Sequence, residues 1–188
     1  MNGGLATLHP AYFALVMATG IMSIACNLLG LRPIDIALLG MNTVFFVVLW
    51  LLTILRVIRF RDRVMADLLH HGRAVGFFTA VAATCVLGSQ WLVVGDNRTV
   101  AIWLWTAGIL LWLTITYAVF ALLTVKAEKP SLAEGINGGW LVSVVAVQSV
   151  SVLGSQLAPG FGDRAPLVLL SSLTLWLAGA CSISGSSR

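Results

Sequence analysis

Charge is absent from six long stretches of this chain: Met1–Leu31, Ile36–Leu55, Ala74–Gly95, Thr99–Val125, Gly135–Gly162 and Ala165–Ser187. All 11 Lys and Arg and all 7 Asp and Glu fall in the short gaps between these runs or at Arg188. A water-soluble domain puts charge on one face of its helices and strands. A charge-free run of about 20 residues instead has the length of a helix that crosses a hydrocarbon core of about 30 Å. Chain in lipid must satisfy its own backbone hydrogen bonds, which leaves helices or closed barrels. A barrel needs alternating segments of about ten residues, and Val44-Phe45-Phe46-Val47-Val48-Leu49-Trp50-Leu51-Leu52 does not alternate. The pattern predicts an all-α, polytopic membrane protein with six transmembrane helices, at about 11–30, 35–56, 74–94, 99–125, 136–157 and 166–184. It excludes a disordered chain, a disulfide-rich secreted domain and a nucleic-acid-binding module.

Short connections make neighbouring helices antiparallel, as three hairpins in a single transmembrane domain over 1–188. The N-terminal run lacks a basic n-region and is longer than a signal peptide's apolar segment, so it reads as a retained first span. The second loop holds Arg56, Arg59, Arg61, Arg63 and Arg73, the fourth holds Lys126 and Lys129, and the tail holds Arg188. The other three loops hold only Arg32, Arg98 and Arg164. This asymmetry places both termini and the basic loop 56–73 on the cytoplasmic side of a plasma (inner) membrane. Arg56, Arg59, Arg61 and Arg63 are expected to meet anionic lipid headgroups. Pro33, Pro130 and Pro166 mark helix starts, Ser131-Leu132-Ala133-Glu134 has the form of a capping box, and Pro159-Gly160 with Gly162 marks a turn.

Odd and even helices differ in kind. The second, fourth and sixth are rich in Leu, Val, Trp and Phe, which suits a lipid-facing layer. The first, third and fifth carry more small and polar residues, and the fifth holds Asn137, Ser143, Gln148, Ser149, Ser151, Ser155 and Gln156. Polar side chains in a membrane face protein or water, so these helices are expected inside. Helical spacing aligns Asn137, Leu141, Val144, Gln148, Ser151 and Ser155 on the fifth helix. It aligns Phe13, Val16, Gly20, Ser23 and Asn27 on the first, and Phe77, Val81, Thr84, Gly88 and Trp91 on the third. The candidate pore-lining residues are therefore Phe13, Gly20, Ser23, Asn27, Thr84, Asn137, Gln148, Ser151 and Ser155. Facing one another, the stripes would wall a narrow neutral path, in which hydroxyls and amides replace water around a small anion and no fixed cation traps it. The same residues also serve plain helix-to-helix packing with no pore.

Absences narrow the chemistry. No Asp, Glu, Lys, Arg or His lies near the middle of a span, so a proton relay, a bis-histidine haem site and a serine–base pair lack members. An enzyme is not expected, and no cofactor or metal is. Cys26, Cys85 and Cys181 lie dispersed in apolar runs and read as small buried residues. His70 and His71 read as solvated loop residues, and His9 as either that or part of a pore mouth.

Three stretches carry a family resemblance: His9-Pro10-Ala11-Tyr12-Phe13-Ala14-Leu15-Val16-Met17-Ala18-Thr19-Gly20-Ile21-Met22-Ser23-Ile24, Val86-Leu87-Gly88-Ser89-Gln90, and Glu134–Gly154 (EGINGGWLVSVVAVQSVSVLG). With them the chain resembles the tellurite-resistance/dicarboxylate transporter family, related to the slow anion channels and malic acid permeases. The resemblance implies ten helices in five hairpins, with odd helices ringing a pore, even helices outside, and usually three subunits. It implies passage of small anions, among them halide, sulfite or tellurite-type species and C4-dicarboxylates. The six helices here correspond to the first six of the ten. The phenylalanine that plugs the pore in that family lies on its ninth helix and has no counterpart in this chain. Two functional classes follow: an anion channel or transporter represented by its first part, or a membrane subunit without a complete pore.

Overall fold

The computed structural model describes residues 8–125 and 140–185. A 3-10 turn, Pro10–Phe13, leads into α1 (Ala14–Leu28), and Leu29–Leu31 connects it to α2 (Arg32–Arg59). The basic connection is itself helical, as α3 (Arg61–Leu69) and α4 (His71–Ala74). After a 3-10 turn at Val75–Phe77 come α5 (Phe78–Val93), α6 (Arg98–Val125), α7 (Leu141–Leu157) and α8 (Ala165–Gly185). The six expected helices are thus α1, α2, α5, α6, α7 and α8, and no strand occurs among the described residues.

Among the described residues, five segments are long and apolar enough to cross a bilayer: Pro10–Leu28, Arg32–Arg59, Gly72–Val93, Arg98–Leu122 and Leu141–Cys181. The last is 41 residues long and folds back at Gly162, whose backbone (φ 53°, ψ −124°) only glycine adopts readily. It therefore supplies two antiparallel helices, with Gln148 beside Trp176 and Ser151 beside Ser172.

α5 is the centre of the assembly. Its span is 78% buried, against 11% for α2 and for α6. α1 packs on one side of it and α7 on the other; α2 lies on α1, α6 crosses α5 and α7, and α8 lies on α7. The composition of α5 explains this position, because Ala80, Ala82, Ala83, Gly88 and Ser89 let neighbouring backbones approach closely. Lipid is as apolar as leucine, so such close packing, and not water exclusion, holds the helices together. Two apolar clusters result. Phe13, Val16, Ala80, Ala83 and Leu87 join α1 to α5, and Phe78, Val81, Cys85, Val119, Val150, Leu153 and Leu157 join α5 to α6 and α7.

Outward faces are greasy. Trp103, Tyr117, Phe120, Leu110, Val44, Leu51, Leu167 and Leu170 are all exposed large side chains on α2, α6 or α8. Across that many residues the pattern matches a surface solvated by acyl chains. At the far end of the bundle, Arg98 ties the turn of the last hairpin to the start of α6. Its guanidinium donates to the Leu157 carbonyl at 2.8 Å and lies 5.1 Å from the Phe161 ring centroid. A cation at the carbonyl end of α7 also opposes the helix dipole. A Cβ at Gly160 would overlap the Arg98 guanidinium, so this placement of the arginine depends on glycine there.

Candidate functional site

The polar residues of the inner helices divide into those spent on neighbouring helices and those left on an open face. On α1 the stripe is a packed face. Phe13 is buried edge-on against Phe46 and Trp50, with ring centroids 6.5 and 5.4 Å away. Gly20 lies where a Cβ would come within 2.7 Å of Val86 Cγ1 and 3.1 Å of Asn42 Nδ2. Ser23 donates to the Asp35 carbonyl at 2.8 Å, and Asn27 Nδ2 donates to Asp35 Oδ2 at 2.7 Å. Asp35 is fully buried in the first turn of α2, and its other carboxylate oxygen takes the Ile36 backbone N–H.

Two turns further along α2, Asn42 Nδ2 donates to Gln90 Oε1 at 2.7 Å, with both residues fully buried. Asn42 Oδ1 and Gln90 Nε2 have no partner among the described residues. This amide pair joins α2 to α5 across Gly20. Amides inside apolar runs are costly unless each finds a partner, and here the two meet each other.

Thr84 is buried and returns its hydroxyl to the Ala80 carbonyl. Ser151 is buried and donates to the Ser172 carbonyl on α8 at 2.6 Å. Gln148 is half-buried and donates through Nε2 to the Trp176 carbonyl at 3.1 Å. Ser155 is exposed and returns its hydroxyl to Val152. Asn137 lies outside the described residues. His9 accepts the Ala11 N–H on Nδ1 at 3.1 Å, and so caps the turn that starts α1.

Between α5 and α7 is a cleft of about 240 Å³, lined by Cys85, Val86, Ser89, Val144, Val145, Gln148, Ser149 and Val152. On α7 its face lies across the helix from Val150, whose carbonyl accepts from Trp105 Nε1 at 3.0 Å. The cleft therefore opens on the side away from α6. Its wall is aliphatic with two hydroxyls, one thiol and one amide, and no charged side chain among its lining. Helical spacing of the longest polar stripe missed Ser89 and Ser149. Their signal was composition, two hydroxyl residues on the two helices with the most small residues.

The groove between α5 and α7 is thus neutral and carries hydroxyl and amide groups. Residues 7–184 match the voltage-dependent anion channel family. The chain belongs to the voltage-dependent anion channel family. It is 29% identical over 181 residues to an uncharacterized transporter of Methanocaldococcus jannaschii, covering 90% of this chain and 50% of that protein. A second uncharacterized transporter of the same organism is 25% identical over 189 residues, covering 95% of this chain and 54% of that protein. The chain thus spans about half the length of the curated relatives it matches. No solved structure matches it significantly. Membership of this channel family and its several apolar helices make the chain part of a multi-pass membrane protein of an anion-transport family.

Sequence reading also assigned Arg56 to the lipid headgroups with the other loop arginines. That assignment is corrected by the fold. Arg56 is buried, and its Nη2 lies 2.6 Å from Asp67 Oδ2.

Proposed function

We propose that this chain supplies part of the wall of a passive pathway for small anions, with α1, α5 and α7 on the inside and α2, α6 and α8 toward lipid. The observation that carries the proposal is the neutral cleft between α5 and α7. There Ser89, Gln148 and Ser149 present hydroxyl and amide groups on the face away from the outer helix α6. The Ser89 hydroxyl and the second amide proton of Gln148 can replace part of an anion's hydration shell, while the Ser149 hydroxyl donates to the Val145 carbonyl at 2.7 Å; the lack of a fixed cation lets the anion leave. Gln148 and Ser155 stand on the open side of α7. In this reading Phe13, Gly20, Ser23, Asn27, Thr84 and Ser151 fix the wall from behind by holding α1, α5 and α7 to their neighbours. Asn137 belongs to the same proposed path at the start of the fifth span. The carried class is small inorganic anions and C4-dicarboxylates, tellurite- and sulfite-type species included. The assembly is a homotrimer in the plasma membrane, with loop 56–73 and the N-terminus facing the cytoplasm.

The test is anion efflux from liposomes holding the purified full-length protein, with chloride, sulfite and malate offered separately. Flux above empty vesicles for at least one anion, reduced by Ser149→Trp, is the expected result. No flux for any of the three overturns the proposal and favours a non-transporting membrane subunit. Chemical crosslinking in the native membrane checks the trimer.

A further inference from the structure

The basic segment between α2 and α5 is built to face two ways. α2 ends at Arg59, the chain breaks direction at Phe60 (φ −136°, ψ 48°), and the nine residues of α3 follow before the next span begins at Gly72. α3 therefore lies at the end of the bundle, where two spans leave the hydrocarbon. Its inward side is fixed. Asp67 is buried between Arg56 Nη2 at 2.6 Å and Arg73 Nη1 at 2.7 Å, and Leu68 packs against the cluster of Phe78 and Val119.

Its outward side is different. Arg59, Arg61 and Arg63 are exposed and form no ion pair among the described residues. Asp62 is the only acid among them. Ile58, Met65 and Leu69 are exposed too, and helical spacing puts Met65 and Leu69 on the Arg61 side of α3. Because Asp67 is neutralised inside, the outer surface keeps a net positive charge beside apolar side chains. That pairing of chemistries suits an interfacial helix on an anionic bilayer surface.

We propose that Arg59–Leu69 is a docking surface for anionic phospholipid. Arg59, Arg61 and Arg63 take the headgroup phosphates, and Ile58, Met65 and Leu69 enter the acyl region beside them. A soluble polyanion would satisfy the guanidinium groups alone and leave the apolar side chains in water, which favours the lipid. The site is separate from the cleft between α5 and α7 and does not depend on conduction. Since Asp67 pins α3 to the end of α2 and to the approach to α5, an occupied surface braces both helices.

Native mass spectrometry of the full-length protein in mild detergent tests this, with phosphatidylglycerol and phosphatidylcholine of matched chains. The expected result is preferential retention of phosphatidylglycerol by wild type. Each neutralised arginine should weaken retention roughly fivefold at low salt, and the preference should shrink as ionic strength rises. The triple variant Arg59→Gln/Arg61→Gln/Arg63→Gln should lose it, while Arg164→Gln, at the opposite end of the bundle, should keep it. An unchanged oligomeric state and melting point of the triple variant show that it is folded. Equal retention of the two lipids by wild type, or an undiminished preference in the triple variant, overturns the proposal. So does displacement of the lipid by its soluble headgroup, glycerophosphoglycerol, at comparable concentration.

Discussion

Asp67→Asn is the substitution whose cost can be worked most directly from the structure. The carboxylate is buried and stands 2.6 Å from Arg56 Nη2 and 2.7 Å from Arg73 Nη1. The side chains of Arg56 and Asp67 are 4% and 5% exposed, so water cannot replace the lost charge at Arg56. Arg73 is 38% exposed and turns to solvent at little cost. Only the Arg56 pair therefore counts fully. Removing one partner of a buried ion pair costs about 3–5 kcal/mol, because the remaining charge stays desolvated. At roughly 2–4 °C per kcal/mol for a chain of this size, the melting point should fall by on the order of 10 °C. The assay is thermal unfolding of the full-length protein in detergent, followed by intrinsic tryptophan fluorescence. Replacing the whole pair by apolar groups removes the stranded charge, so Arg56→Met/Asp67→Leu should recover most of the loss. A melting point for Asp67→Asn within a degree of wild type would refute the reasoning. A double variant no more stable than the single would refute it too.

Three other outcomes are expected. Asn42→Leu and Gln90→Leu should each destabilise, and the double variant should cost less than their sum by about 0.6–1.7 kcal/mol, the coupling expected of a hydrogen bond inside a membrane; a double-mutant cycle of melting points checks it. Gly160→Leu should displace the Arg98 guanidinium from the Leu157 carbonyl and cost about 1.5–3 kcal/mol, the worth of a hydrogen bond to a charged group. Arg98→Met should cost a similar amount, and the two together little more, again by melting. In the liposome efflux assay Gln148→Leu should change flux or anion preference more than Trp112→Leu, because only Gln148 lines the cleft.

The helices were legible in the sequence because lipid removes alternatives: an uncharged run of sufficient length has to be a helix. Hence the limits of α2, α6 and α8 fall within a few residues of the runs that encode them. The hairpin turn was legible at Pro159-Gly160 and Gly162 for a similar reason, since few residues tolerate that backbone. The fold hidden in the basic loop was not, because α3 is too short and polar to show as an apolar run.

The candidate site was half legible. Spacing finds residues that share a helix face but not which neighbour that face meets. On α1 the stripe Gly20, Ser23 and Asn27 meets α2 and α5, and each polar group finds its partner there. Asp35 supplies two of those partners, and a lone acid at the edge of an apolar run carries no mark of the residues it will meet. Asn42 and Gln90 sit 48 residues apart and declare themselves only through the rule that a buried amide needs a partner. Arg56 looked like its neighbours Arg59, Arg61 and Arg63 because sequence shows the sign of a charge and not the side of the helix on which an acid waits.

Cysteine accessibility in the membrane puts the inner and outer layers to the sharpest test. Cys26, Cys85 and Cys181 would first be replaced by serine or alanine, with any further cysteine of the full-length protein. Cysteine is then introduced as Ser149→Cys on the cleft or Trp103→Cys on the outer face of α6. A charged, membrane-impermeant thiol reagent is applied to proteoliposomes during anion efflux. The expected result is labelling at position 149 with loss of flux, and no reaction at position 103. Labelling at 103 with position 149 inert would contradict the assignment of the cleft to the water-filled side of the protein.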